Sequence, residues 1–330
     1  MLKRMLWSAP VAALVGSLAL MFGFEPARAE NGLGQSLPGQ MGLQEAATEV
    51  AREIHLFYDM TNIIIIAIAV FVLLLMLYVM FRFSEKSNPT PSKTTHNTIL
   101  EVAWTVIPIL ILVAIAIPSF KLLMLQYTYP KPDLTIKAVG NAWFWEHQYP
   151  DQGGFIVTSN MLTDKAVMEA KLGKDEYKKR YSGLEGTSLS KALYDDSQAV
   201  WNELKKPRQL AVDNEIVVPV NKVVHVLTTS NDVIHNWTIP SFGSKLDAVP
   251  GRVAATWFRA EKEGMFYGQC SELCGLNHAY MPIAVRVVSE SVFNEWAGAM
   301  KAKDKRKARE VLDKVALEHD GGKTVASAAN

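Results

Sequence analysis

Apolar positions along the chain fall into three continuous N-terminal blocks and, beyond them, into short alternating runs. The first block, residues 5–24, follows Lys3 and Arg4 and precedes Ala27-Arg28-Ala29, the small-x-small form of an export cleavage site. Residues 1–29 are therefore expected to be a signal peptide cut after Ala29. An uncleaved first membrane helix is the alternative, disfavoured by the Pro10 and Gly16 interruptions. The second block, residues 61–81, is uncharged and matches the roughly 20 residues a helix needs to cross a bilayer. The third, residues 102–125, carries Pro108 and Pro118, which membrane helices tolerate. Together they predict a two-helix transmembrane hairpin over 58–126, preceded by an outward-facing segment, 30–57. Arg82, Lys86 and Lys93 lie between the two spans and place that connection on the cytoplasmic side, so both ends of the mature chain face outward.

After Tyr129-Pro130 the period changes. Runs at 134–139, 215–220, 223–229, 253–259 and 283–288 are short, β-branched and alternating, bounded by Gly, Pro, Asn and Asp. They predict an antiparallel sandwich or barrel over 127–298. Residues 162–206 are charged and have helical character, an insertion between two strands. The remaining segment, 299–330, reads as a charged, partly disordered tail: a solvated Lys/Ala-rich helix from Met300, then a segment around Gly321-Gly322 without structure.

Composition changes this picture little. The 330 residues carry a formal charge of +1, which gives no sign of a general nucleic-acid binder. Cysteine usage is more telling. Only Cys270 and Cys274 are present, both in the exported part, where a disulfide is the default expectation.

Against that default stands the segment CSELCGLNHAYM, residues 270–281. Two thiols, the His278 imidazole and the Met281 thioether fall within twelve residues, a donor set that selects copper over oxygen-seeking metals. A structural zinc site would close with Cys or His rather than Met. A single-copper site needs one Cys, so the second suggests two ions sharing two sulfurs. Another imidazole must then come from elsewhere, and His235, just after the 223–229 run, is the candidate. Taken singly, His235 reads as a partly buried histidine and Met281 as core. The disulfide reading also stays open on spacing alone.

The copper loop, with NDVIHNW at 231–237, DAVPGR at 247–252, GNAWFW at 140–145 and HNTILEVAWTVIP at 96–108, resembles cytochrome c oxidase subunit II in order and spacing. The resemblance runs from about His55 to Trp296, leaving the insertion and both tails uncovered. It implies a membrane-anchored, mostly β protein with a cupredoxin-like Greek-key β-barrel and a dinuclear copper A centre. In that centre Cys270 and Cys274 bridge, His235 and His278 each bind one copper, and Met281 binds one while the Glu272 backbone carbonyl binds the other. It further implies that the Glu272 side chain holds a magnesium or manganese ion shared with subunit I, a carboxylate suiting a hard cation.

The same resemblance makes Trp143 the exposed acceptor of electrons from cytochrome c, whereas an aromatic run in a lone strand is ordinarily core. The family commonly has Gln and Tyr where this chain has Ala142 and Phe144, which puts polar docking by those neighbours in doubt. Asp247 matches a docking acid for a lysine-bearing partner, and Glu146, Asp151 and Asp232 lie nearby in sequence segments of the same region. Glu101 matches the cytoplasmic mouth of a proton path into subunit I. It also completes Thr98-Ile99-Leu100-Glu101, the S/T-x-x-E form of a capping box. Arg252 is implied at the subunit I interface, although PGR also reads as a turn before a strand.

The expected protein is thus a multi-pass protein of the bacterial inner (plasma) membrane with its copper head on the periplasmic side. It passes electrons from cytochrome c to subunit I and other oxidase subunits for proton-coupled reduction of oxygen. The oxygen chemistry itself needs many membrane helices and helix-borne histidines, absent here, and no Cys-x-x-Cys-His haem attachment occurs. Three rivals share features. A metal-free quinol oxidase subunit II would lack the cysteines. A nitrous-oxide reductase would lack the hairpin. A membrane-tethered copper carrier would need neither Trp143 nor Glu101.

Overall fold

The computed structural model describes residues 34–316; the expected signal peptide and residues 317–330 of the tail lie outside these. Two long helices come first, α1 (Glu49–Arg82) and α2 (Thr98–Tyr127), the described helices that are long and apolar enough to cross a membrane. The 34 residues of α1 extend about 51 Å, well beyond a hydrocarbon core of about 30 Å. The excess is at its N-terminal end, which is built into the head. Thr48 caps α1 by accepting from the Ala51 amide (3.0 Å) while its hydroxyl donates to the Phe242 carbonyl (2.8 Å). The Ala47 amide donates to Ser241 and its carbonyl accepts from Glu261, both at 2.9 Å.

Helix α2 starts one residue earlier than the sequence box implied. Asn97, not Thr98, is the cap: its Oδ1 accepts from Ile99 and Leu100, and Glu101 Oε1 accepts from the Asn97 amide at 3.3 Å. Asn at this position competes better for orphan amides than Thr. At the other end of α2, the Gln126 carbonyl accepts from Trp257 Nε1 (3.3 Å), and Tyr129 donates to the Ala255 carbonyl (2.7 Å). Both helices therefore enter the head through buried or bonded residues.

The head contains ten strands among the described residues: β1 (Leu134–Asn141), β2 (Phe144–Tyr149), β3 (Phe155–Ser159), β4 (Ile216–Pro219), β5 (Val223–Ser230), β6 (His235–Ile239), β7 (Ser244–Ala248), β8 (Ala254–Arg259), β9 (Gly264–Gln269) and β10 (Pro282–Val288). They form one sheet ordered β3-β2-β1-β5-β8, a second ordered β4-β10-β9, and the β6-β7 hairpin. The expectation of an antiparallel sandwich is corrected here: β1 pairs with β5, and β10 with β4, in parallel. Alternation does not encode strand direction, and each parallel pair is joined by a long crossover that the intervening elements supply. Trp145, Trp237, Phe242, Phe258, Phe266 and Ile283 fill the space between the layers.

Residues 162–206 form α3 (Asp164–Leu172), α4 (Lys174–Arg180) and α5 (Gly186–Leu204), with an apolar cluster of their own around Met168, Tyr181 and Trp201. Asp164 ties this lobe together, accepting from Ser197, Trp201 and Arg208. Its neck is a two-strand bridge of Met161 with Val212. The C-terminal part departs from the sequence expectation. Helix α6 (Glu290–Lys301) runs through the boundary drawn at 298/299, and α7 (Lys305–Val315) buries Ala308, Val311 and Val315 against the main core rather than standing in solvent. Their spacing of three and four residues gives one apolar stripe that the Lys/Arg content obscures.

Candidate metal centre

The loop 270–281 joins two neighbouring antiparallel strands, so the Gln269–Pro282 pair closes its base. Inside, the His278 amide donates to Gly275 and the Tyr280 amide to Asn277, tightening the second half into a 3-10 turn that turns His278 back toward the thiols. His235, just after the 223–229 run, is the first residue of β6 and fully buried. The Ser271 amide donates to the Asn236 carbonyl (3.3 Å) and stitches β6 to the loop.

This places six donors together. Cys270 Sγ lies 3.8 Å from Cys274 Sγ and 3.8 Å from His235 Nδ1. Cys274 Sγ lies 3.5 Å from both His278 Nδ1 and Met281 Sδ, and the Glu272 carbonyl is 3.3 Å from Cys270 Sγ. Both cysteines are free and buried, at a separation far beyond the roughly 2.05 Å of a disulfide. Two thiols, two imidazoles, a thioether and a carbonyl in one pocket fit a soft metal, and they fit more than one ion because a single tetrahedral ion uses four donors.

The cluster's electrostatics favour an ionised sulfur. Burial opposes the Cys270 thiolate, but hydrogen bonds with His235 and the backbone at Asn236 and Glu272 prevail and bring its pKa down to about 7. Burial, reinforced by the facing Cys270 charge, pushes Cys274 up to about 12. A cation resolves that conflict, since thiolates are the metal-binding form.

Trp143 sits on the β1–β2 turn, half-buried rather than fully exposed, and its Nε1 donates to the Cys274 carbonyl (3.2 Å). A side chain at Gly275 (φ +114°) would reach within 3.3 Å of that indole, so the glycine lets Trp143 lie on the loop. Asp247, exposed on β7, accepts from Asn236 Nδ2 (2.7 Å), next to His235. Glu272 has its side chain in solvent. Arg252 lies in the turn that its amide closes on Val249 (3.2 Å), ahead of β8. Glu101 is at the far end of the hairpin and belongs to no cluster with the others.

Sequence reasoning passed over the residues behind the donors. Asp232 Oδ1 meets His235 Nε2 at 2.7 Å and its Oδ2 accepts from the Ala142 amide at 2.6 Å, joining the imidazole to the Trp143 turn. The D-x-x-H spacing in one turn was the available signal. Trp145 is fully buried and donates to the Met281 carbonyl (3.2 Å).

Fold and cluster define a membrane-anchored, cupredoxin-like protein with a buried multi-thiol metal centre. Comparison with known proteins narrows this. The family model for "Cytochrome C oxidase subunit II, transmembrane domain" matches residues 36–122, and that for its "periplasmic domain" matches 181–288. Cytochrome c oxidase subunit 2 of Cereibacter sphaeroides is 46% identical over 264 residues, 80% of this chain and 81% of that protein. A probable subunit 2 of Rickettsia bellii is 42% identical over 265 residues, covering 80% and 86%. The crystal structure of the periplasmic domain of subunit II (CoxB) of Bradyrhizobium japonicum is 45% identical over 53% of this chain and 99% of that one, with a TM-score of 0.40. The chain belongs to the cytochrome c oxidase subunit II family, and is a component of that enzyme complex.

Proposed function

We propose that electrons from cytochrome c are taken up at Trp143 and passed across the 270–281 loop to subunit I, where oxygen is reduced to water with proton translocation. The observation that carries this reading is the set of six donors, thiol, thioether, imidazole and one carbonyl, within 3.3–3.8 Å contacts around two free thiols. Bound there, a copper pair supplies a one-electron carrier. Cys270 and Cys274 would hold it as thiolates together with the His235 and His278 imidazoles, with Met281 and the Glu272 carbonyl as weaker donors. Trp143 acts as the contact for the donor because its indole is bonded directly to a ligand's carbonyl.

The finer assignments follow. The exposed Glu272 carboxylate is offered to a magnesium or manganese ion shared with subunit I, and exposed Asp247 to a lysine-bearing cytochrome c. Arg252, on a turn bordering β8, is assigned to the subunit I face, and Glu101 to a proton path alongside its capping bond. The basic 82–93 connection orients the hairpin with the head on the periplasmic side of a bacterial inner membrane. The segments 1–29, 30–57 and 58–126 are then signal, outward segment and anchor, and the copper head begins at 127 and includes α6 and α7.

The test is copper content and electron paramagnetic resonance on the purified full-length chain. One unpaired electron spread over two equivalent coppers is expected, and its loss in Cys270→Ser. Two coppers retained in Cys270→Ser would refute the assignment.

A further inference from the structure

The two ends of the β1–β2 turn bear on the buried His235. Gly140 and Trp145 are register partners across that turn. A Cβ built on Gly140 would fall 2.7 Å from His235 Cδ2 and 2.9 Å from its Cγ, so the imidazole already occupies the space a side chain would need. Trp145 presents its ring to the same imidazole, with centroids 5.9 Å apart and planes at 65°. Its Nε1 meanwhile holds the Met281 carbonyl. Asp232 fixes the remaining ring nitrogen. With Cγ and Cδ2 filling the space beside Gly140, Trp145 set at a steep angle to the ring and Nε2 bonded to Asp232, the ring is held with Nδ1 3.8 Å from Cys270 Sγ.

We propose that Gly140 and Trp145 are positioning residues for the metal centre. They form a seat that sets the plane of the His235 imidazole and, through one hydrogen bond, the backbone of the Met281 ligand. The inference rests on the copper reading above. It gives the 140–145 motif a second task beside electron uptake: the same hairpin turn that carries Trp143 outward holds two donors from behind. His235 contacts Cys270 and Met281 contacts Cys274, so a shift of either donor would change the surroundings of one thiol more than those of the other. Donor orientation set by groups behind the ligands is a general lever on metal affinity and potential.

The experiment uses full-length protein loaded with copper, comparing Gly140→Ala, Trp145→Phe, Trp145→Leu and the core control Phe258→Leu. Phe258 is fully buried, and the rings it stacks on, Trp237 and Phe242, are not among the six donors. Four readouts are taken: copper content, the copper hyperfine pattern, the reduction potential, and the rate of copper loss to a chelator. Gly140→Ala and Trp145→Leu are expected to give unequal hyperfine couplings, a shifted potential and copper loss several-fold faster than wild type. Trp145→Phe, which keeps a ring but not the N–H, should fall between. Phe258→Leu should lower the melting temperature with wild-type spectra. If Gly140→Ala does not fold, the Trp145 pair carries the test. Wild-type spectra, potential and release rates in the Trp145 variants, with only a lowered melting temperature, would overturn the proposal. Wild-type protein that binds no copper pair would refute the underlying reading, and it is measured before any variant is compared.

Discussion

His147 is a polar side chain placed where a core residue would serve. It points inward from β2 with no exposure, its Nε2 accepts from Trp237 Nε1 (3.2 Å), and its Nδ1 has no partner. Burial penalises the imidazolium and pulls the pKa down to about 3. The unfolded chain therefore binds a proton as pH falls through the ordinary imidazole value of about 6.5, and the folded chain does not until about 3. Stability contributed by the neutral ring is lost progressively over that window as pH falls. At pH 5 the loss is about 2 kcal/mol. His147→Leu should flatten the dependence of melting temperature on pH between about 6.5 and 3, measured against wild type in the same metal state. An unchanged slope would assign the acid sensitivity elsewhere.

Among the elements, the helical lobe is joined to the sandwich through one buried ionic group. Glu215, at the start of β4, accepts from Lys206 at the end of the lobe and from Arg286 on β10, both at 2.6 Å. Burial disfavours the Glu215 charge, but the two cations outweigh it and hold the carboxyl far below the usual range. Glu215→Gln removes the charge that Lys206 and Arg286, the latter only 2% exposed, both meet at 2.6 Å, and should destabilise the head by about 3–5 kcal/mol. Chemical denaturation would register this. Copper content should be unaffected, since neither cation nor carboxylate touches the donors. The lobe was legible as helical from its Ala/Leu and charge pattern. The ion triad was not, because 206, 215 and 286 are brought together only by the parallel β4–β10 pairing.

At the scale of the molecule, the head does not hang from a flexible tether. Helix α1 carries about a dozen residues more than the membrane needs, and its start packs on the head, with Val50 and Ala51 buried and Ala51 and Ile54 beside Gly243. Ion pairs of Arg52 with Glu261, Arg259 with Glu49 and Lys262 with Glu45 line that contact, with Lys121 and Glu53 (3.6 Å) joining the two helices. These are solvent-exposed and worth under about 1 kcal/mol each. The buried Thr48 cap does more, since one hydroxyl ends the helix and binds the Phe242 carbonyl. Thr48→Ala should cost about 1–2 kcal/mol and Arg52→Ala under about 1. A larger loss in Arg52→Ala would mean that the exposed pairs, not the cap, hold the joint. A fixed joint holds the donor cluster in a constant position relative to the two long apolar helices.

The sequence alone determined the anchor, because membrane insertion depends on contiguous apolarity, and the soft donor set, because five of the six donors are side chains, four of them within the twelve residues of one loop. It also carried, through resemblance, the sixth donor, a backbone carbonyl that no side-chain reading supplies. Tertiary structure decided the rest. It separated the thiols and so removed the disulfide reading, brought His235 across from another strand, turned Met300's helix and its successor onto the core, and set strand directions that alternation does not encode. Above all it decided what stands behind the donors. Gly140 and Trp145 act through contacts with residues 95 and 136 positions away, and distances in space between such positions exist only once the chain is folded.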